Sequence, residues 1–275
     1  MFNEDEPDKV EEVGTPENEV TEPSSDGTVS ADELKVKYYT VDLPSGGKLG
    51  YPETIEYRDI LVRDEKVLSS ATPKNYAKML NNVLKSLLKD QSLYDQLCIY
   101  DRDFLLLWIW ANNYSTEKKF EVYCPVCTTK DVVDINLTEL DIEHLSDKYT
   151  SPFMLTLQNG DQLKLRLLTV KDEVVAENFA KANNLDESDV KFALAMEFKM
   201  LMPLRQKIEY IDNNLTGKDM GRVRAFHDHF KYGLQDKVEH ECTGCGEVTP
   251  HTIPFSGEFL LPTLQDDFEE MLRSE

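Results

Sequence analysis

Four of the five cysteines fall into two pairs of equal spacing, Cys124-Pro-Val-Cys127 and Cys242-Thr-Gly-Cys245. A two-residue spacer lets the backbone curl so that both sulfurs face one ion, and four thiolates suit tetrahedral zinc. Gly244 and Gly246 are expected to ease that curl, since glycine tolerates positive φ. Four sulfurs leave no position for an activated water, so the expected site is structural, one zinc per chain on Cys124, Cys127, Cys242 and Cys245. Disulfides and an iron–sulfur cluster are the other chemistries open to these residues. A thioredoxin-like redox pair needs only one such motif, beside a βαβ unit.

Other residues could do chemistry with less support. His227-Asp228-His229 could serve a metal-dependent enzyme, but three polar residues in a row also fit an exposed helix face. His240 and His251 flank the second cysteine pair and could support it from outside the ligand set. Cys98 has no partner at motif spacing and is expected to be a small buried apolar group. No phosphate-binding glycine loop, nucleophile elbow or HExxH helix occurs, so no enzymatic activity and no small-molecule substrate are expected.

The elements that position the cysteines can be read from periodicity. Phe120 and Val122 precede the first pair and Val132, Val133 and Ile135 follow it; Val238 precedes the second, with Val248, Ile253 and Phe255 after it. Strand-like runs on both sides of each pair describe a zinc ribbon split by the 114 residues between Cys127 and Cys242. Closing a loop of that length costs about 4 kcal/mol plus a constant, against roughly 10–16 kcal/mol from a structural zinc site.

The cysteine pairs also belong to a longer repeat. Residues 55–68 resemble 163–176, with Arg58/Arg166, Val62/Val170, Asp64/Asp172, Glu65/Glu173 and Val67/Val175 identical. Residues 101–127 parallel 219–245, through Tyr114/Tyr232, Lys119/Lys237, Glu121/Glu239 and both cysteine pairs. In that alignment Cys98 matches Thr216, and the histidine triplet matches Ile109, Trp110 and Ala111.

The expected fold is therefore α+β: two similar tandem units, 38–142 and 150–262, each with a hairpin, helices and a cysteine knuckle, pinned together by the zinc. Leu43-Pro-Ser-Gly-Gly-Lys and Asn159-Gly160 mark the two hairpin turns, the latter because both residues can take positive φ. Asp-Glu pairs precede helical stretches, where acids are favoured. Thr72-Pro73 reads as an N-cap with proline at the first helical position, ahead of a stripe of Ala77, Leu80, Leu84, Leu87 and Leu88. Phe179–Leu204 and Met220–Phe230 are expected to supply helices, and Phe104–Trp110, apolar all round, a buried one.

Charge bounds the partners. The chain carries 52 acidic and 30 basic residues, a net charge of −22. This disfavours general binding to nucleic acid or to an anionic membrane. Half of the charge lies in residues 1–33, with twelve acids and one base, three prolines and few large apolar groups. That composition reads as a disordered acidic tail; residues 263–275 read as an acidic C-terminal helix or tail. No apolar run approaches membrane-spanning length. Charged residues at Met1–Asp8 stand where a secretory signal would be apolar, so a reducing compartment is expected.

With these residues in view, the sequence resembles the baseplate hub and hub-assembly proteins of T4-like contractile-tailed bacteriophages. The resemblance rests on four features in order: Leu43-Pro-Ser-Gly-Gly-Lys with Tyr51-Pro, Ile55-Glu-Tyr-Arg with Asp64-Glu, Asp101-Arg-Asp-Phe-Leu-Leu-Leu, and Phe120-x-x-x-Cys-x-x-Cys. A looser second round runs from Leu163-x-Leu-Arg-Leu-Leu-Thr to the second cysteine pair, departing at Met220-Gly-Arg. It implies a structural or assembly role in the tail baseplate, with other baseplate or hub proteins as partners. It also implies residence in the host cytoplasm during assembly and then in the virion tail. A zinc-ribbon regulator contacting nucleic acid or polymerase is the alternative. Against it, Lys118, Lys119, Lys130 and Lys237 near the cysteines are outnumbered by acids. An enzyme using His227 and His229 is the second alternative.

Overall fold

Leu80, Val83, Leu84 and Leu87 recur at helical spacing, and all four side chains are buried on one face of a twelve-residue helix. Burying each contributes roughly 1.5–3 kcal/mol, and stripes of this kind decide where the helices pack. The computed structural model describes residues 36–72, 75–114 and 116–253. The acidic tail at 1–33 and the segment 263–275 lie outside the described residues, as do Pro73 and Phe255.

In chain order, strands β1 (Tyr38–Asp42) and β2 (Thr54–Arg58) form an antiparallel hairpin. Helices α1 (Val62–Ser69), α2 (Tyr76–Leu87) and α3 (Ile99–Asn113) follow, with a 3₁₀ turn at Tyr94–Gln96 between the last two. Next come the hairpin β3 (Glu117–Tyr123) and β4 (Lys130–Asn136) and the short strand β5 (Ile142–Glu143). Strands β6 (Phe153–Thr156) and β7 (Gln162–Leu165) are joined by helices α4 (Val170–Asn183) and α5 (Glu187–Ala195) to β8 (Met196–Phe198), which completes a three-stranded antiparallel sheet. Helices α6 (Leu204–Asn214) and α7 (Gly217–His229), strand β9 (Gly233–Leu234) and a last hairpin, β10 (Lys237–Glu241) with β11 (Val248–Thr252), end the described chain. The architecture is α+β.

Two hydrophobic cores hold these elements. One gathers buried residues between Val41 and Leu137, including Phe104, Leu105, Ile109 and Trp110 of α3, and also takes in Val170 and Ile253. The other runs from Leu145 to Tyr232 and takes in Cys98. The apolar Phe104–Trp110 run is thus core, as expected. Between the cores, Cys98 and Thr169 form an isolated bridge, Arg102 of α3 meets Glu173 of α4 at 2.8 Å, and β5 pairs with β9.

Strand ends are locked to helix starts by ion pairs. Arg58, the last residue of β2, donates to both carboxylate oxygens of Asp64 at 2.6 and 3.1 Å, and Asp64 accepts the Leu61 N–H. Arg166, just past β7, does the same to Asp172 at 2.5 and 2.8 Å, and Asp172 accepts the Thr169 N–H. Each aspartate sits in the first turn of its helix, where a carboxylate also meets unpaired backbone N–H groups. Burial opposes ionisation of both carboxyls, but the arginine and backbone hydrogen bonds hold both below the usual aspartate range. Asp101 and Asp219 occupy the first turns of α3 and α7 and accept the backbone N–H of Ser45 and Gln158 from the two hairpin turns. Cys98 and Thr216 are the N-cap residues of those helices. Thr216 caps with its own hydroxyl, whereas at Cys98 the Tyr51 hydroxyl accepts the Cys98 N–H and donates to Asp101.

Three local expectations need correction. Helix α2 starts at Tyr76 with Asn75 at its N-cap, and the Asn75 side chain is taken by the Thr72 N–H and hydroxyl. Within 179–204, Asn184 turns left-handed at φ 53° to end α4, and Asp186 caps α5 through the Ser188 N–H. Met196–Phe198 then leaves the helix because β7 offers a free edge for it to pair with. At the β6–β7 turn Gly160 has φ 89°, but Asn159 is not left-handed and instead bonds Asp161 through its side chain.

Candidate metal centre

The two cysteine pairs sit in the turns of the β3–β4 and β10–β11 hairpins, whose last ladder pairs are Tyr123↔Lys130 and Glu241↔Val248. Inward residues Phe120, Val122, Val133 and Ile135 anchor the first hairpin in the first core. The second hairpin is anchored there too, through Ile253 and the partly buried Val238.

The turns share one backbone plan. Cys124 N–H donates to Thr129 O at 2.9 Å and Thr128 N–H to Cys124 O at 2.9 Å; Cys242 N–H donates to Glu247 O at 2.9 Å and Gly246 N–H to Cys242 O at 2.8 Å. In each, the fourth residue after the first cysteine is left-handed, Thr128 at φ 61° and Gly246 at φ 72°. Gly246 therefore plays the role its type suggests. For Thr128 the same conformation costs about 1–3 kcal/mol, strain of the kind held at functional sites.

Gly244 matters for a different reason from the one expected. Its φ is not positive; a Cβ there would lie 2.3 Å from Thr129 Oγ1 and 3.1 Å from Thr129 Cβ. The knuckles approach so closely that only hydrogen fits, and this contact brings the sulfurs together. Cys124 Sγ lies 3.8 Å from Cys245 Sγ and Cys127 Sγ 3.5 Å from Cys242 Sγ, and all four lie within 4.8 Å of one another. Tetrahedral zinc with Zn–S of about 2.3 Å requires S···S of about 3.8 Å, whereas a disulfide requires about 2.05 Å. The four cysteines are free thiols in a cluster compatible with a metal site.

Electrostatics favour a cation. Four thiolates at this spacing cannot all ionise beside one another without a positive charge to offset their repulsion. Hydrogen bonding to Thr129 pulls the Cys127 thiol down to about 6; at Cys245 the Glu247 backbone hydrogen bond lowers the pKa, but the neighbouring thiols and desolvation together outweigh it and push it up to about 12. Gly244 N–H donates to Cys242 Sγ at 3.3 Å, stabilising charge on that sulfur.

Asp131 is the residue that motif reading misses. It accepts the Thr243 N–H at 3.0 Å and the Thr243 hydroxyl, and contacts His240 Nε2 at 3.1 Å, tying β4 to the second knuckle. Those Thr243 bonds, with His240 behind them, hold its carboxyl down at about 2. One signal was present: Asp131 has the inward parity of Val133 and Ile135, so a charge there needs a partner.

The remaining candidates stand apart. Among the described residues, the four cysteines are the one group of three or more His, Cys, Asp or Glu placed to hold a metal. His227 is partly buried against Phe192 and Phe226, and burial lowers its pKa. His229 is exposed beside Phe230, and His251 bonds Thr249. Cys98 is buried, its thiol pushed up to about 12 by desolvation. Near the cysteines, Lys119 pairs with Asp134 and Lys130 with Glu121. No helix among the described residues is long and apolar enough to cross a membrane.

Comparison with known proteins agrees with the resemblance read from the motifs. The family model for the T4 bacteriophage base plate protein matches residues 35–260. Neither the curated proteins nor the solved structures gave a match. The matched region takes in both cysteine hairpins, and the chain belongs to the T4 bacteriophage base plate protein family.

Proposed function

We propose that this chain is a zinc-stapled scaffold of the phage tail baseplate. In this reading, units 38–142 and 150–262 share one plan, each contributes a knuckle, and a single zinc ion on Cys124, Cys127, Cys242 and Cys245 pins them. The observation that carries it is the convergence of four sulfurs, within 4.8 Å of one another, from hairpins far apart in the chain. The matched Arg58–Asp64 and Arg166–Asp172 clamps and the two knuckle turns with one backbone plan support the shared plan. Family membership supports other tail proteins as partners. Two of the four lysines near the cysteines, Lys119 and Lys130, are ion-paired to acids, which reduces the cationic surface free for phosphates and weighs against the nucleic-acid alternative.

The test is purification of baseplates and of their assembly intermediates from cells making wild-type chain or the Cys124→Ser/Cys127→Ser variant. The expected result is wild-type chain in one or both fractions and loss of the variant. Absence of the wild-type chain from both fractions overturns the baseplate reading, and normal incorporation of the variant overturns the staple.

A further inference from the structure

The connector between β8 and α6 carries a run of apolar residues outward. Met200 and Leu201 are 63% and 99% exposed, and Pro203 is also exposed; Met202 is half-buried. Leu201 is the most exposed of the large hydrophobic residues described. Single apolar side chains on a surface need no explanation, but here two adjacent ones, Met200 and Leu201, stand mostly or wholly in water, with Met202 only half covered beside them.

The run is not a slack loop. On one side β8 is paired to β7, and on the other α6 begins at Leu204 with Ile208 and Ile211 buried. Lys207 Nζ, from the second turn of α6, donates to Met196 O at 3.0 Å and closes the base of the connector. The result is a braced knob with Leu201 at its tip.

Its charge is unusual for this protein. Residues 199–208 contain Lys199, Arg205 and Lys207 and no acid, in a chain of net charge −22. Lys199 and Arg205 are exposed beside the knob; Glu197 is engaged with Lys164, and Arg205 meets Glu209 at 3.4 Å in a solvent-open i,i+4 pair that water screens, with the Arg205 side chain 71% exposed. An apolar tip rimmed by cations fits a concave apolar pocket with an acidic rim. Methionine and leucine suit such a socket, since Met adapts its shape to the wall it meets.

We infer that the Met200–Pro203 knob, with Lys199 and Arg205, is the docking anchor of this chain for an acid-rimmed apolar socket on another tail protein. The inference rests on the baseplate reading above and adds the surface through which the partner is held.

The experiment compares wild-type chain with Leu201→Asp and Lys199→Glu/Arg205→Glu. Each variant is first checked for an unchanged thermal midpoint and zinc content, which the full exposure of Leu201 and the solvent-screened position of Arg205 permit. Baseplates and intermediates are then purified and the chain quantified by mass spectrometry. The expected result is a tenfold or greater fall in incorporation for both variants, together with protection of Met200 and Met202 from peroxide in wild-type particles. Wild-type incorporation of Leu201→Asp, or equal peroxide reactivity of both methionines in free and assembled chain, overturns the proposal while leaving the baseplate reading intact. A purified wild-type dimer that Leu201→Asp dissolves also overturns it, because the occupant is then a second copy. Wild-type chain missing from every fraction overturns both.

Discussion

Arg58→Met and Arg166→Met remove chemically equal clamps from unequal surroundings. The Arg58 and Asp64 side chains are 5% and 7% exposed, those of Arg166 and Asp172 38% and 12%. Removing Arg58 leaves the Asp64 carboxylate buried with the Leu61 N–H as its remaining donor, a change worth about 3–5 kcal/mol. Arg166 is more than a third exposed, so water screens its pair and can hydrate Asp172 once it is gone; about 1–2 kcal/mol is expected. The assay is equilibrium urea unfolding of the zinc-loaded protein, with free zinc held constant so that metal linkage does not differ between variants. At a slope of about 3 kcal/mol per molar, Arg58→Met lowers the midpoint by about 1–1.7 M and Arg166→Met by about 0.3–0.7 M. Replacing both partners, Arg58→Met with Asp64→Leu, recovers part of the loss because no unpaired charge stays buried. Equal midpoint shifts for the two single variants, or a larger one for Arg166→Met, would refute the claim that burial sets the strength of these clamps.

Two further outcomes follow from the geometry. Gly244→Ala weakens zinc binding tenfold or more in a competition titration with a chromophoric chelator, and adding Thr129→Ala restores much of it, since the 2.3 Å contact with Thr129 Oγ1 disappears. No loss in Gly244→Ala contradicts the close approach of the knuckles. Asp64 has its carboxyl lowered in the folded state, so it adds stability above the unfolded pKa of about 3.9 and loses it as pH falls through the folded value. The wild-type advantage over Asp64→Asn in urea midpoint is therefore full at pH 6 and shrinks below about pH 4; an advantage that grows toward acid contradicts the sign.

The sequence exposes most of what local chemistry controls. The cysteine spacing locates both knuckles because the ladders on either side are ordinary alternating strands, and Phe104–Trp110 reads as core because no face of it is polar. Arg58, Asp64, Arg166 and Asp172 stand out as shared residues, and each aspartate proves to be ion-paired to its arginine. What stays hidden depends on distant partners. Met196–Phe198 has the composition of a helix end, and only the free edge of β7 makes it a strand. Gly244 looks like a turn glycine, yet the atom that forbids a side chain there belongs to Thr129, in the other knuckle. Asp131 resembles one more surface acid until Thr243 and His240 face it. The second hairpin packs Ile253 and Val238 on the first core, which no periodicity announces.

The central claim is that one metal ion joins the knuckles of two hairpins far apart in the chain, and native mass spectrometry of the purified chain tests it most directly. The account predicts one zinc per wild-type chain, lost in Cys242→Ser together with a lowered unfolding midpoint. A folded wild-type chain carrying no metal and four alkylatable thiols would contradict it.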